Sequence, residues 1–255
     1  MTIFQAIILG VVEGVTEFLP ISSTGHLILT SKLLGIADSN FLKSFNIAIQ
    51  FGAILAVVVL YWKKFLTGAN IWKKVFTAFL PTAIVGFLLY KVLKTFLLSN
   101  TLLVVWSLAL GGIALILFEM WYARRATRGV QELTYKRSFV VGLVQSLAII
   151  PGVSRSGATI IGGLLMGINR QTIIEFSFLL AVPTMAAATA YDLYKSAGNF
   201  TFGEFHLLAI GFIVSFIVAW LSIKWLLHFI KNHTFIPFGI YRIIVALIFW
   251  FLVVK

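Results

Sequence analysis

Cysteine is absent from the 255 residues. That excludes disulfides and thiolate metal sites and says little about compartment. Charge is scarce too: Asp, Glu, Lys and Arg together make up 11% of the chain. Acids are the rarest class, with 8 Asp and Glu against 20 Lys and Arg, a formal net charge of +12. No basic segment precedes the first apolar run, and polar residues interrupt that run, so no cleavable signal peptide is expected. What remains is apolar: 60% of the residues are hydrophobic, and the mean hydropathy is +1.03. A soluble domain of this length could not keep so much apolar surface from water. The expectation is an all-α polytopic membrane protein. The excess positive charge then reads as a positive-inside bias and attraction to anionic lipid headgroups, not as a nucleic-acid surface. A smaller share of it can draw in an anionic substrate.

Against that background, two acids stand out. Glu13 and Glu17 sit four apart in the apolar run that leads to EGVTEFLPISSTGH, residues 13 to 26. Residues i and i+4 share one helix face. Two carboxylates there repel, and burial worsens this, so they call for a cation, a shared proton or water. Ionisable groups at membrane depth are costly and are usually functional. Pro20 breaks the run, and the polar cluster Ser22, Ser23, Thr24, Gly25 and His26 follows.

Residues 3 to 19 and 23 to 36 are each too short for a comfortable span of roughly 20 residues. They read as a re-entrant helical hairpin, whose loop must face protein or water. Full spans are expected at 41 to 62, 75 to 90 (with a kink at Pro81) and 100 to 118. A basic cytoplasmic connector, Glu119 to Arg137, follows. A gapless shift of 132 positions then lays Gly10 on Gly142, Ser22 on Ser154, Gly25 on Gly157, Ile28 on Ile160 and Gly35 on Gly167, with Glu13 on Gln145. That is an internal duplication. A second hairpin is expected from 138 to 150 and 155 to 168, then spans at 172 to 194, 205 to 230 and 236 to 254.

The whole is a single membrane domain of about six spanning helices and two re-entrant hairpins. Repeat 1 runs over about 1–118 and repeat 2 over about 138–255. Three crossings per repeat give the halves opposite orientation, an inverted-topology repeat with its broken hairpins meeting near the midplane. Lys63, Lys64, Lys73, Lys74 and the connector's basic residues fall on one side. That side is cytoplasmic, and the first hairpin's entrance and both termini lie outside. A homodimer is compatible with this plan.

The second hairpin's tip reads PGVSRSGAT, residues 151 to 159. A guanidinium at membrane depth needs an anionic partner. For Arg155, two readings stand: an internal pair with Glu13 or Glu17, or a bidentate fork for a phosphate. Ser154, Ser156 and Thr159 supply hydroxyls that serve either a phosphate or plain helix capping. Ser22, Thr24 and Gly25 offer the same donors at the first tip. His26 suits an acid/base role or the orientation of a nucleophile, and Ser23, three residues earlier, is the better-placed nucleophile, with Ser22 as the alternative. Glu13 and Glu17 suit a divalent metal, Mg²⁺ or Ca²⁺, or one of them a general base. The inventory points to phosphoryl transfer. Asn46, Gln50, Glu175, Asp192 and Arg242 are weaker candidates within spans. Asn46 and Gln50 could line the cavity, and Arg242 is expected to pair with Glu175 or Asp192.

The two tips together resemble the signature motifs of the bacterial undecaprenyl-diphosphate phosphatase, or bacitracin-resistance, family. IEFSFLLAVP at 174 to 183 and FNIAIQFGAILAVV at 45 to 58 extend the resemblance along the chain. It implies hydrolysis of a polyprenyl diphosphate, undecaprenyl diphosphate, to the monophosphate at the outer face of the bacterial cytoplasmic membrane. That reaction recycles the lipid carrier of wall polymers and confers resistance to bacitracin, which captures the diphosphate. By position it implies essential roles for Glu13, Glu17, Ser23, His26 and Arg155 and a divalent-metal requirement. Attack by Ser23 and attack by metal-bound water both stay open. A different phosphatase family, the phosphatidic-acid type, uses a His six residues after its Arg; position 161 here is Ile, so that chemistry is not available. The rival function is a lipid transporter or flippase, because inverted repeats with broken helices are also a transporter architecture.

Overall fold

Helices account for all the regular structure in the residues described by the computed structural model, which are 1–92, 100–124, 132–196 and 205–254. The first hairpin is α1 (Ile3–Thr16) and α2 (Ser23–Leu33). Thr2 opens α1 with a capping box: its hydroxyl accepts from the Gln5 amide at 3.2 Å, and the Gln5 side chain accepts from the Thr2 amide at 2.8 Å. At 1.5 Å per residue α1 is roughly 21 Å long, short of a hydrocarbon core of about 30 Å. The chain continues through α3 (Asn40–Leu60), the short α4 (Trp62–Thr67), α5 (Ala69–Val92) and α6 (Thr101–Arg124). The second hairpin is α7 (Tyr135–Gln145), a 3₁₀ turn at Ser146–Ile149, and α8 (Arg155–Leu165). Then come α9 (Arg170–Ser196), α10 (Phe205–Phe229) and α11 (Ile236–Phe249), the last ending in a π turn at Trp250–Val254.

Five of these helices, α3, α5, α6, α9 and α10, contain apolar stretches long enough to cross a bilayer, which makes this a multi-pass membrane protein. The last segment keeps its expected bounds: α11 and its π turn run from Ile236 to Val254, with Ile236–Leu252 a shorter apolar stretch than the other five. Pro237 sits at its first turn, where the missing N–H costs nothing. One expectation needs correction, since the connector is shorter than expected. Glu119 to Arg124 still belong to α6, and α7 begins at Tyr135. Residues 125 to 131 of the connector, Arg125 and Arg128 included, lie outside the described residues, as does the Asp192 side chain. At Pro81 and Pro183 the helices run on, so neither proline ends its span.

The two halves are interleaved. The first hairpin leans on a span of the second half, α1 against α10; the second leans on a span of the first half, α7 against α5. The repeat-related glycines Gly10 and Gly142 make both approaches possible. A Cβ on Gly10 would lie 2.9 Å from the Gly211 carbonyl oxygen, and one on Gly142 would lie 2.0 Å from that of Ala78. Likewise α3 packs on α10 and α5 on α9, while α3 meets α9 and α6 meets α11. Exchanging the halves maps this set of contacts onto itself. The largest apolar core lies between them: Phe18 from the first tip meets Phe178 of α9 edge-on, with ring centroids 5.5 Å apart. Both rings are fully buried, so the tip carrying the acids is anchored from below.

Candidate active site

At the first tip, α1 gives out at Glu17, and α2 restarts at Ser23 with Ser22 as its cap. Ser22 is the one described non-glycine residue with positive φ, at 71°. An L residue adopts that conformation at a cost of roughly 1–2 kcal/mol. The twist aims the Ser22 carbonyl into the new helix, where it accepts from the His26 amide at 3.2 Å and lies 2.8 Å from His26 Nδ1. The Ser23 hydroxyl turns the other way and donates to Glu17 Oε2. Spacing alone suggested Ser23 with His26; the hydrogen bonds join Ser23 to Glu17.

The second tip arrives from the opposite half and closes on the same carboxylate. Arg155 is the first residue of α8. Its Nη2 and Nε reach Glu17 Oε1 at 3.2 and 3.4 Å, and its Nη1 donates to the Ser177 carbonyl at 2.8 Å. The guanidinium also lies over the Phe18 ring, 5.9 Å from its centroid. Glu17 thus takes a hydroxyl on one oxygen and a guanidinium on the other, and all three groups are largely withdrawn from solvent. A charge-assisted fork of this kind is among the stronger polar contacts a protein makes.

The remaining hydroxyls of the second tip are engaged with protein. Ser154 caps α8 by accepting from the Gly157 amide at 3.2 Å. Ser156 donates to the Leu19 carbonyl at 2.7 Å and so ties the two tips together. Thr159 bonds Gln145 Oε1 at 3.1 Å and the Arg155 carbonyl at 2.8 Å. Thr24 and Gly25 sit in the first turn of α2, and the Gly25 amide is taken by the Ser22 hydroxyl at 3.4 Å.

Two residues of α11 complete the surroundings. Arg242, expected to pair with an acid, instead donates to four backbone carbonyls: Pro20 at 3.2 Å, Gly152 at 2.9 Å, Ser107 at 3.0 Å and Leu108 at 3.3 Å. Pro20 belongs to one tip and Gly152 to the other, so a single buried guanidinium pins both to α6. Gly111 leaves the room for it, since a Cβ there would come within 1.9 Å of Nη2. The expected acid partner, Glu175, is held by Lys64 at 2.5 Å and Gln171 at 3.1 Å. A plain search for opposite charges misses carbonyl partners, which every residue carries. Tyr241, which the sequence reading passed over, brings its hydroxyl to within 3.0 Å of His26 Nε2.

Glu13 is fully buried, and neither of its carboxylate oxygens has a hydrogen-bond partner. It stays within electrostatic reach of Glu17 and Arg155. No group of three or more His, Asp or Glu that could hold a metal converges among the described residues. The unpartnered Glu13 carboxylate is a hard oxygen donor of the type that a divalent cation such as Mg²⁺ takes, with water and phosphate oxygens filling the rest of its shell. Asn46 keeps a buried, unpartnered Oδ1 on α3. Cavities of about 280 and 440 Å³ lie away from this site, beside Lys64 and Glu175 and beside Met1 and Ile36.

The family model for bacitracin resistance protein BacA matches residues 6–248. An undecaprenyl-diphosphatase of Aquifex aeolicus is 56% identical over 250 residues, covering 98% of each chain. One from a Sulfurihydrogenibium species is 54% identical over 98% of this chain and 99% of its own, and one from Campylobacter jejuni is 50% identical over 97% and 93%. The match runs through both hairpins and nearly every span, and the chain belongs to the bacitracin resistance protein BacA family.

Proposed function

We propose that this membrane protein hydrolyses undecaprenyl diphosphate to undecaprenyl phosphate and inorganic phosphate. The observation that carries the chemistry is the meeting of Ser23, Glu17 and Arg155 across the two tips. The relatives named above are diphosphatases, which favours hydrolysis over the flippase reading. The excess of basic residues on the loops assigned to the cytoplasm supports a site that opens to the outer face of the bacterial cytoplasmic membrane, within an inverted repeat. Hydrolysis there would return the lipid carrier to wall synthesis and lower the amount of diphosphate open to bacitracin.

In this reading Arg155 leaves part of its fork to Glu17 and turns the rest to the terminal phosphate. Glu17, already accepting from Ser23, takes the hydroxyl proton as Ser23 Oγ bonds to the terminal phosphorus. The bond from that phosphorus to the bridging oxygen breaks, and undecaprenyl phosphate leaves with both electrons. Water then displaces the serine: its oxygen bonds to phosphorus and both its hydrogens leave on the inorganic phosphate, while Ser23 Oγ takes back the proton held by Glu17. The amides opening α2 and α8, with Ser22, Thr24, Gly25, Ser154 and Ser156 around them, line the phosphate's surroundings, and Thr159 braces Arg155 from within α8. A divalent cation would be held by Glu13 with help from Glu17, and would neutralise phosphate charge.

The test is phosphate release from a polyprenyl diphosphate by purified protein in detergent, with and without a chelator. Parent activity that survives in both Glu17→Ala and Arg155→Ala would end the reading. Lipid translocation in proteoliposomes by a variant lacking Ser23 and His26 would favour transport instead.

A further inference from the structure

His26 is held at both ring nitrogens. Nδ1 lies 2.8 Å from the Ser22 carbonyl oxygen, and Nε2 lies 3.0 Å from the Tyr241 hydroxyl. A carbonyl oxygen only accepts, so in the neutral ring the hydrogen sits on Nδ1. Nε2 is then the acceptor, and Tyr241 donates to it. The two rings are nearly parallel, 4° apart, with centroids separated by 5.5 Å. The imidazole is buried at 7% exposure, whereas Tyr241 is 42% exposed. The tyrosine therefore stands between His26 and the surface of the molecule.

We infer that Tyr241 is a positioning residue for His26, fixing its tautomer and carrying the proton that His26 exchanges. Several features converge on it. Ser22 is twisted to positive φ, which aims its carbonyl at Nδ1. Tyr241 comes from α11, 215 residues along the chain from His26, so the contact is tertiary and not a by-product of a helical turn. Its neighbour Arg242 pins α11's partner α6 and both tips, which holds the tyrosine in register with the histidine. The tyrosine hydroxyl is the hydrogen-bonded neighbour from which Nε2 can take a proton. Tyr241 gives its own hydrogen to Nε2 and takes another from water or a phosphate oxygen on its far side, so it ends neutral and one proton has moved inward. The reverse hand-off returns it. His26 in this arrangement serves proton traffic with the outside, while Glu17 serves Ser23.

Tyr241→Phe tests this, because it keeps the ring and removes only the O–H. The kinetic arm rests on the diphosphatase reading; the spectroscopic arm does not. The expected kinetic result is a kcat reduced roughly tenfold with KM within about twofold of the parent. Thermal unfolding in detergent should change by only a few °C, since the ring and its packing stay and a single part-buried hydrogen bond is lost. With ¹⁵N-histidine labelling, and the His26 signal identified by its loss in His26→Gln, the parent should show the Nδ1–H tautomer. Tyr241→Phe should shift the Nε2 resonance. A parent ring protonated at Nε2 would overturn the assignment whatever the activity. Active parent protein with an unchanged kcat in Tyr241→Phe, or with a change confined to KM, would overturn the positioning role. A parent without diphosphatase activity would count against the function proposed above and leave the tautomer result standing on its own.

Discussion

The two helical hairpins share a frame and divide the chemistry. Thr2 and Thr134 cap their first helices with nearly the same backbone, φ −93° and −91°, both with ψ 164°. Ser22 and Ser154 cap the second helices, each accepting from the glycine three residues on. Gly35 and Gly167 end those helices at positive φ, 62° and 74°, where the following amide reaches back into the last turn. The contents differ. The first hairpin carries Glu13, Glu17, Ser23 and His26. At the matching positions the second carries Gln145, Ile149, Arg155 and Ala158. Gln145 is satisfied by Thr159, Thr82 and Thr184, while the Glu13 carboxylate has no hydrogen-bond partner. The two hairpins are thus similar cradles. Placing acid in one and cation in the other turns their meeting point into a reactive site.

The largest test of that division is to remove either side of the shared ion pair. Glu17→Ala and Arg155→Ala should each lower kcat/KM by roughly 10³-fold, and a charge exchange between the two positions should not restore it, since Ser23 would then face a cation. Ser23→Ala should follow at roughly 10²–10³-fold, with KM little changed. Rapid-quench capture of a phosphoserine in the parent, absent from that variant, checks the covalent step. Arg242→Met should leave the Pro20 and Gly152 carbonyls without their donor, untie both tips from α6, and lower stability by about 3 kcal/mol, read as the unfolding midpoint in detergent.

Glu13→Gln makes the first hairpin resemble the second at its buried acid. Activity should fall roughly tenfold and more divalent cation should be needed for half-maximal rate, while the unfolding midpoint stays or rises, since an unpartnered carboxylate leaves the core. The smallest effects test the frame itself. Gly35→Ala and Gly167→Ala should each cost about 1 kcal/mol, and by similar amounts, because both occupy left-handed positions in matching helix ends. Unequal costs would weaken the structural equivalence of the hairpins.

Most of this frame was legible beforehand, since proline, glycine and hydroxyl clusters punctuate long apolar runs and mark where short helices stop. The matching caps of the two hairpins were legible because those punctuation marks recur at one offset. The meeting of Arg155 with Glu17 was legible, since burying a charge demands a partner. Pairings were harder. Three residues of spacing suggested Ser23 with His26, yet Tyr241 and the strained Ser22 carbonyl hold the ring elsewhere. Arg242 suggested an acid, and its partners are backbone oxygens that no composition reveals.

The crosswise leaning of each hairpin on the opposite half has a consequence for biosynthesis. When α1 leaves the ribosome its supporting surface on α10 does not yet exist, and it must wait for most of the chain to be made. The later hairpin finds α5 already in the bilayer. Maturation is therefore asymmetric in time, although each hairpin ends on a span of the other half. A nascent chain halted after α6 should hold its acidic tip loosely, without the neighbours that will later confine it.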